Sequence, residues 1–262
     1  MALLLLEQMA DRAVAADEIN YNAAISACER SGLWTWALEL LRRMPDERLT
    51  PNKVSYNAVL SVCEKGRHPW LALGLLREMA EVRLFADEIS YSAAMSACEK
   101  NRQWKQALGL LQEMPCLRLL PDQVSYGAAI SACEKRGRWQ ESLGVLSSMS
   151  RARVEPDATS FNAAISACDK TGRWQMALHL LMGMSEVAVL LTSMAYNAAI
   201  AVCARHEQWL LAFSLLRQMQ EASAAADTTS CQCVITACDK VGHFELTTSL
   251  LDELEASLLF SR

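Results

Sequence analysis

Residues 54–65 read Val-Ser-Tyr-Asn-Ala-Val-Leu-Ser-Val-Cys-Glu-Lys, and residues 70–79 read Trp-Leu-Ala-Leu-Gly-Leu-Leu-Arg-Glu-Met. The pattern returns along the whole chain at an interval of 35 residues. Tyr21, Tyr56, Tyr91, Tyr126, Phe161, Tyr196 and Cys231 keep one frame with no insertion or deletion. The same frame carries Trp34, Pro69, Trp104, Trp139, Trp174, Trp209 and Phe244, and then Met44, Met79, Met114, Met149, Met184, Met219 and Leu254. A fixed period held through seven units is the signature of a repeat array.

Each unit contains two helical patterns. Tyr21, Ala24, Ile25 and Cys28 fall at i, i+3, i+4 and i+7, one apolar face of an α-helix. Ala23, Ala24 and Ala27 keep that helix thin enough for neighbouring units to approach closely. Ser31-Gly32 breaks it, with Gly137, Gly172 and Gly242 at or beside the matching turn. A second stripe follows on Trp34, Ala37, Leu40, Leu41 and Met44, and Pro51, Pro121 or Pro156 precedes a new unit. One helical pair cannot bury its own apolar face, so stacking must bury it. The expected fold is an all-α solenoid, a superhelix of stacked two-helix repeats whose tyrosine, tryptophan, methionine and cysteine stripes form the core.

The frame sets the expected organisation. Seven tandem repeats occupy 18–52, 53–87, 88–122, 123–157, 158–192, 193–227 and 228–262. Residues 1–17 read as a partial repeat with the second helix alone, since Leu3, Leu6 and Met9 align with Leu38, Leu41 and Met44. That register accounts for the opening leucine run better than a signal peptide does, because no basic residue precedes it. A start in mid-unit leaves an apolar end uncapped, which suggests a fragment, a truncated gene model or one piece of a longer array.

Composition narrows the function. The chain has 262 residues, 52% hydrophobic and 21% charged, with a net charge of −5. Such a balance excludes a bulk polycation that holds nucleic acid or membrane by charge alone. No apolar run reaches the ~18 residues of a membrane span, so a soluble chain is expected. Seven of the ten cysteines are spaced 35 apart, from Cys28 to Cys238. Equivalent positions on stacked helices lie about 8–10 Å apart, beyond the ~7 Å limit for a disulfide. They read as small buried apolar groups in a reducing compartment. Cys231 and Cys233 lack the spacing and the partner pair of a zinc site. Four histidines stand in no catalytic arrangement, and the periodic carboxylates mark solvated faces. No enzyme, metal or cofactor is expected.

Period and residues together resemble the pentatricopeptide repeat (PPR) family, whose 35-residue units share the tyrosine-led first helix and the Ala-Leu-x-Leu-Leu-x-x-Met second helix. The resemblance spans the whole chain. It implies sequence-directed binding of single-stranded RNA at one base per repeat, 5′ to 3′ from the N-terminus, in organellar (chloroplast or mitochondrial) RNA processing, stability or translation. In that family the residue after the tyrosine reads the base together with the last residue of the unit. The pairs carried over are Asn22 with Asn52, Asn57 with Asp87, Ser92 with Asp122, Gly127 with Asp157, Asn162 with Thr192, and Asn197 with Asp227. The family code reads them as pyrimidine (C preferred), U, G, unassigned, pyrimidine and U. Asparagine can both donate to and accept from a pyrimidine edge, whereas serine leaves room for a purine. Gly127 has no side chain to read with. Cys231, Gln232 and Arg262 depart from the pattern, so the seventh unit is given no base.

The resemblance also implies that Ile19, Val54, Ile89, Val124, Thr159 and Met194 pack against bases. Ordinary packing between repeats would account for them equally. Arg30, Lys65, Lys100, Lys135, Lys170, Arg205 and Lys240 are the expected phosphate contacts, a regular ladder of the kind a backbone-tracking groove uses. A cation in the last turn of a helix is also favoured by the helix dipole, whatever the protein binds. Glu29, Glu64, Glu99, Glu134, Asp169 and Asp239 stand immediately before six of these cations. At ~100° per residue they lie near the face of the reading positions, where they would repel phosphate. The competing expectation is a protein-interaction scaffold that binds a peptide or helix on a concave face of mixed or negative charge.

Overall fold

The computed structural model describes residues 16–186, 189, 191–222 and 228–241. The chain divides into two compact units, Met1–Ala132 and Cys133–Arg262. The described residues form thirteen helices and no strand. In the first unit α1 (Glu18–Ser31) precedes α2 (Trp34–Arg43), α3 (Lys53–Gly66) precedes α4 (Pro69–Glu81), and α5 (Glu88–Lys100) precedes α6 (Trp104–Cys116). Helix α7 (Gln123–Glu134) runs across the division, and α8 (Trp139–Arg151) follows it. The second unit continues with α9 (Ala158–Asp169), α10 (Trp174–Glu186), α11 (Ser193–Arg205), α12 (Trp209–Glu221) and α13 (Thr228–Val241). First helices stack on first helices: α1 on α3 and α3 on α5 in one unit, α9 on α11 and α11 on α13 in the other. The fold is an all-α solenoid of two-helix repeats.

Local chemistry sets the helix ends. Six of the described first helices begin after a residue whose side chain accepts a backbone N–H three residues on, and Asp17, Asn52, Asp87, Asp157 and Thr192 among these caps are in extended conformation. The bonds run from Asn20 to Asp17, Ser55 to Asn52, Ser90 to Asp87, Ser125 to Asp122, Ser160 to Asp157 and Ala195 to Thr192, at 2.8–3.3 Å. An oxygen at the N-cap satisfies one of the amides that the first helical turn leaves without a carbonyl. A left-handed residue follows the first helix, Gly32, Gly137 or Gly172 in some repeats and Arg67, Arg102 or Glu207 in others. A second left-handed residue follows the second helix, and in four repeats it is arginine: Arg48, Arg83, Arg118 and Arg153. The next N–H then reaches back to the methionine carbonyl, as Leu84 does to Met79 and Leu119 to Met114, at 2.8 and 2.9 Å. This is the Schellman type of closure.

The core repeats with the sequence. Ile25, Leu60, Met95, Ile130, Ile165 and Ile200 on the first helices are fully buried, as are Met44, Met79, Met114, Met149, Met184 and Met219 on the second. Burying one such side chain contributes about 1.5–3 kcal/mol. None of the ten cysteines forms a disulfide. Burial pushes the Cys63 thiol up to about 12 and the Cys98 thiol to about 11, far from the thiolate that metal binding or oxidation needs. The tryptophans correct the expected core. Trp34, Trp104, Trp139, Trp174 and Trp209 are only half-buried, because they open the second helix at the margin of the layer. There Trp34 packs against His68 with centroids 4.7 Å apart and ring planes tilted by 47°, and the Arg173 guanidinium lies 5.5 Å from the Trp139 ring.

Candidate functional site

The candidate surface is built from positions 2, 5, 9, 12 and 13 of the first helices. Steps of 3, 4, 3 and 1 residues keep these near one face. Position 3 points the other way, into the stack, and its serines Ser55, Ser90, Ser125 and Ser160 are buried.

At position 2, Ile19 is 75% exposed, Val54 59%, Ile89 66%, Val124 59% and Met194 66%, and Thr159 is exposed as well. Contacts between repeats therefore do not occupy these side chains, and ordinary packing fails to explain them. Each repeat presents an unburied methyl-bearing group beside its fifth residue.

The fifth residues Asn22, Asn57, Ser92, Gly127, Asn162 and Asn197 are all half-buried. Asn57 and Asp87 are brought together: the Asn57 amide donates to Asp87 Oδ1 at 3.2 Å, and Ser90 Oγ donates to Asn57 Oδ1 at 2.6 Å. The same Ser90 hydroxyl, whose single proton is shared between the two acceptors, lies 2.9 Å from Asp87 Oδ1, and Lys53 forms an ion pair with the carboxylate at 3.0 Å. Burial works to raise the Asp87 pKa. The Ser90 N–H, the Lys53 ammonium, the Ser90 hydroxyl and the Asn57 amide outweigh it and hold the carboxyl down at about 2.

Other pairs differ. Asn52 turns its amide to Glu18 Oε2 at 2.9 Å and not to Asn22. Ser92 shares a 2.9 Å hydrogen bond with Ser125 Oγ, which in turn donates to Asp122 at 2.8 Å, so the third pair is linked through a serine. The Oδ1 atoms of Asn22 and Asn162 are buried and accept no hydrogen bond among the described residues. Asp157 caps α9 and also accepts from Thr159 at 2.7 Å. Asp227 lies outside the described residues.

The charged ladder is not a row of free cations. Lys100 Nζ lies 2.8 Å from Glu64 Oε1, Lys170 Nζ 2.6 Å from Glu134 Oε1, and Arg205 Nη1 2.7 Å from Asp169 Oδ2. In each case the cation of one repeat pairs with the acid of the preceding repeat. Position 9 joins this arrangement, for Ser131 donates to Glu99 at 3.1 Å and Ser166 to Glu134 at 3.0 Å. The acids are the more sheltered partners, 14–22% exposed against 29–61% for the cations. Three of the anions expected to repel phosphate, Glu64, Glu134 and Asp169, are thus neutralised from the next repeat. Lys65 and Lys240 are exposed and Lys135 half-buried, while the Arg30 side chain lies outside the described residues.

The buried position-3 serines Ser90 and Ser125, each joining the N-cap of its own helix to the reading residue of the repeat before, are absent from the candidates read off the sequence. Their signal was present as Asn52-x-x-Ser55, Asp87-x-x-Ser90 and Asp122-x-x-Ser125, the spacing of a reciprocal N-terminal cap. No group of metal-ligating side chains occurs among the described residues. No described helix is long and apolar enough to cross a membrane.

Comparisons with known proteins agree on the architecture. The chain is similar at residues 9–182 to the family described as the pentacotripeptide-repeat region of PRORP, and at 194–223 to the PPR repeat. No curated protein matches the sequence. Among solved structures, the pentatricopeptide repeat protein PPR10 from maize is 24% identical with a TM-score of 0.71, over 92% of this chain. This chain spans 35% of the length of that maize protein. The PPR domain of Arabidopsis thaliana protein-only RNase P 1 in complex with tRNA is 15% identical with a TM-score of 0.56, over 65% of this chain and 90% of that one. With a family match across more than half of its length, the chain belongs to the pentatricopeptide-repeat family.

Proposed function

We propose that the chain binds single-stranded RNA along the first-helix face and reads one base per repeat, with no chemistry of its own. The observation that carries this reading is the Asn57–Asp87 pair. Two polar side chains 30 residues apart are held together at 3.2 Å, beside Val54 and Ile89 that stand exposed for stacking. A base edge has hydrogen-bonding groups to meet there and apolar surface to lie on. The solved complex of PPR10 with an 18-nt RNA element and the tRNA complex of the Arabidopsis thaliana PPR domain support the ligand class.

The proposed order is pyrimidine, U, G, any base, pyrimidine and U. Ile19, Val54, Ile89, Val124, Thr159 and Met194 flank the bases, and the Lys/Arg ladder lies along the phosphates. Organellar RNA processing, stability or translation is the setting proposed from the family. Fluorescence anisotropy with labelled 5′-CUGNCU-3′ against a composition-matched scramble, at low and moderate salt, tests the reading. Preference for the designed RNA is expected, and equal binding of the two would remove the code. A peptide-binding scaffold is the second reading, favoured by the neutralised ladder and the net charge of −5. Absence of RNA binding at low salt would leave it standing.

A further inference from the structure

The second helices carry a surface that the first-helix face leaves unused. Between α4 and α6 lies a cavity of about 540 Å³, walled by Leu73, Leu76, Leu84, Leu110 and Leu119. Its size falls within the ~300–1,000 Å³ of pockets that enclose specific ligands. Phe85 stands 88% exposed at its rim, and Val82, Leu117 and Leu120 extend exposed apolar surface along the two connectors. Phe85-Ala86 occupies the place of Thr50-Pro51, Leu120-Pro121 and Glu155-Pro156 in repeats one, three and four, so this groove differs from its equivalents. Exposed apolar side chains gathered in this way mark a surface that binds another molecule.

The groove is also cationic, in a chain whose net charge is −5. Arg77 and Arg83 line it, and Arg118 stands between the lining residues Leu117 and Leu119. None of these three guanidinium groups forms a hydrogen bond or an ion pair among the described residues, and Arg77 does not pair with Glu81 one turn further along α4. Lys100, Lys170 and Arg205 of the ladder, by contrast, are each paired. The one carboxylate in the wall, Glu113, is engaged, because the Tyr91 hydroxyl donates to it. Burial, together with that neighbouring carboxylate, pushes the Tyr91 hydroxyl up.

We propose that this groove docks an acidic amphipathic segment of a partner protein, with one large apolar side chain seated in the cavity and flanking carboxylates on Arg77 and Arg83. A guanidinium meets a carboxylate through two parallel hydrogen bonds. Arginine and aromatic side chains are also the residues that anchor protein interfaces. A small apolar ligand would fill the cavity but leave Leu117, Leu120 and Arg118 uncovered, whereas a polypeptide spans the whole strip. The site lies on second helices, apart from the first-helix face, and its occupancy does not depend on what that face binds.

The test selects a displayed library of random dodecapeptides on the full chain. Enriched peptides should combine aspartate or glutamate with phenylalanine, tryptophan or leucine. A fluorescein-labelled winner then gives affinities for the parent, Arg77→Gln, Arg83→Gln and Ala80→Phe. Each glutamine variant is expected to lose about fivefold, the upper end for an exposed ion pair. Ala80→Phe fills the cavity from an exposed position on α4 and should abolish binding. RNA affinity should stay unchanged in all three variants. An absence of enriched peptides, or winners that are neutral or basic, would overturn the proposal. So would acidic winners that bind the variants as they bind the parent. Loss of RNA binding in the same variants would overturn it too, since strand and peptide would then share one face. The glutamine variants alter only exposed side chains, so they decide the matter if Ala80→Phe fails to fold.

Discussion

Replacing Glu134 with glutamine should weaken the fold and strengthen RNA binding at once. Glu134 Oε1 accepts from Lys170 Nζ at 2.6 Å and from Ser166 Oγ at 3.0 Å, and its side chain is 17% exposed. Glutamine keeps the shape and an acceptor for Ser166 but removes the charge that holds Lys170. Lys170 is 42% exposed, so solvent screens the pair, and the loss should be about 1 kcal/mol, the upper end for a partly exposed ion pair. Released from the carboxylate and held only by the backbone carbonyl of residue 134 at 3.0 Å, Lys170 becomes available to phosphate. One added contact steepens the single-strand salt slope by ~0.7 and raises affinity about fivefold at 0.1 M salt. Urea denaturation followed by circular dichroism measures the first quantity, and anisotropy over a salt series measures the second. A fall in affinity would refute the reasoning, since the acid would then be assisting the strand. Unchanged affinity alongside lost stability would show that the ladder is structural and never meets phosphate.

Met114→Ala removes a fully buried side chain from α6 and should cost about 2–4 kcal/mol, read as a lower denaturation midpoint. Arg118→Gly relieves a left-handed residue at φ 61° and should stabilise the fold by about 0.5–1 kcal/mol, visible as a higher midpoint in the same assay. The Asp87 carboxyl is held at about 2, below its unfolded value near 3.9, so its contribution is complete above pH ~4 and is lost as pH falls towards 2. Asp87→Asn preserves an N-cap but abolishes that component, so its thermal midpoint should fall less steeply than the parent's between pH 4 and 2.

The period of 35 made the fold legible, because a repeat that cannot bury its own face has few ways to be satisfied. Cys63, Ile165 and Met114 lie in the core where their spacing put them. Trp34 and its equivalents do not, because helical spacing identifies a face but cannot show that a residue at the first turn sits at the edge of the layer. The ladder was half legible. Adjacent Glu134 and Lys135 read as neighbours on one helix, whereas the partner that matters, Lys170, is 36 residues away and becomes visible only when repeats stack. Asp87 shows a different limit. One side chain caps α5, pairs with Lys53 and meets Asn57, and the sequence pattern cannot separate its structural work from a reading role.

The central claim is that the fifth and last residues of a repeat select a base, and Asn57→Ser tests it most directly. The change gives the second repeat the Ser–Asp combination of the third while Asp87 keeps its bonds to Ser90 and Lys53. Affinities should be measured for four RNAs that differ only at the second base. The account predicts that the parent prefers U and the variant prefers G, with a change of about 1–3 kcal/mol at that position alone. An identical order of the four RNAs for parent and variant would contradict it.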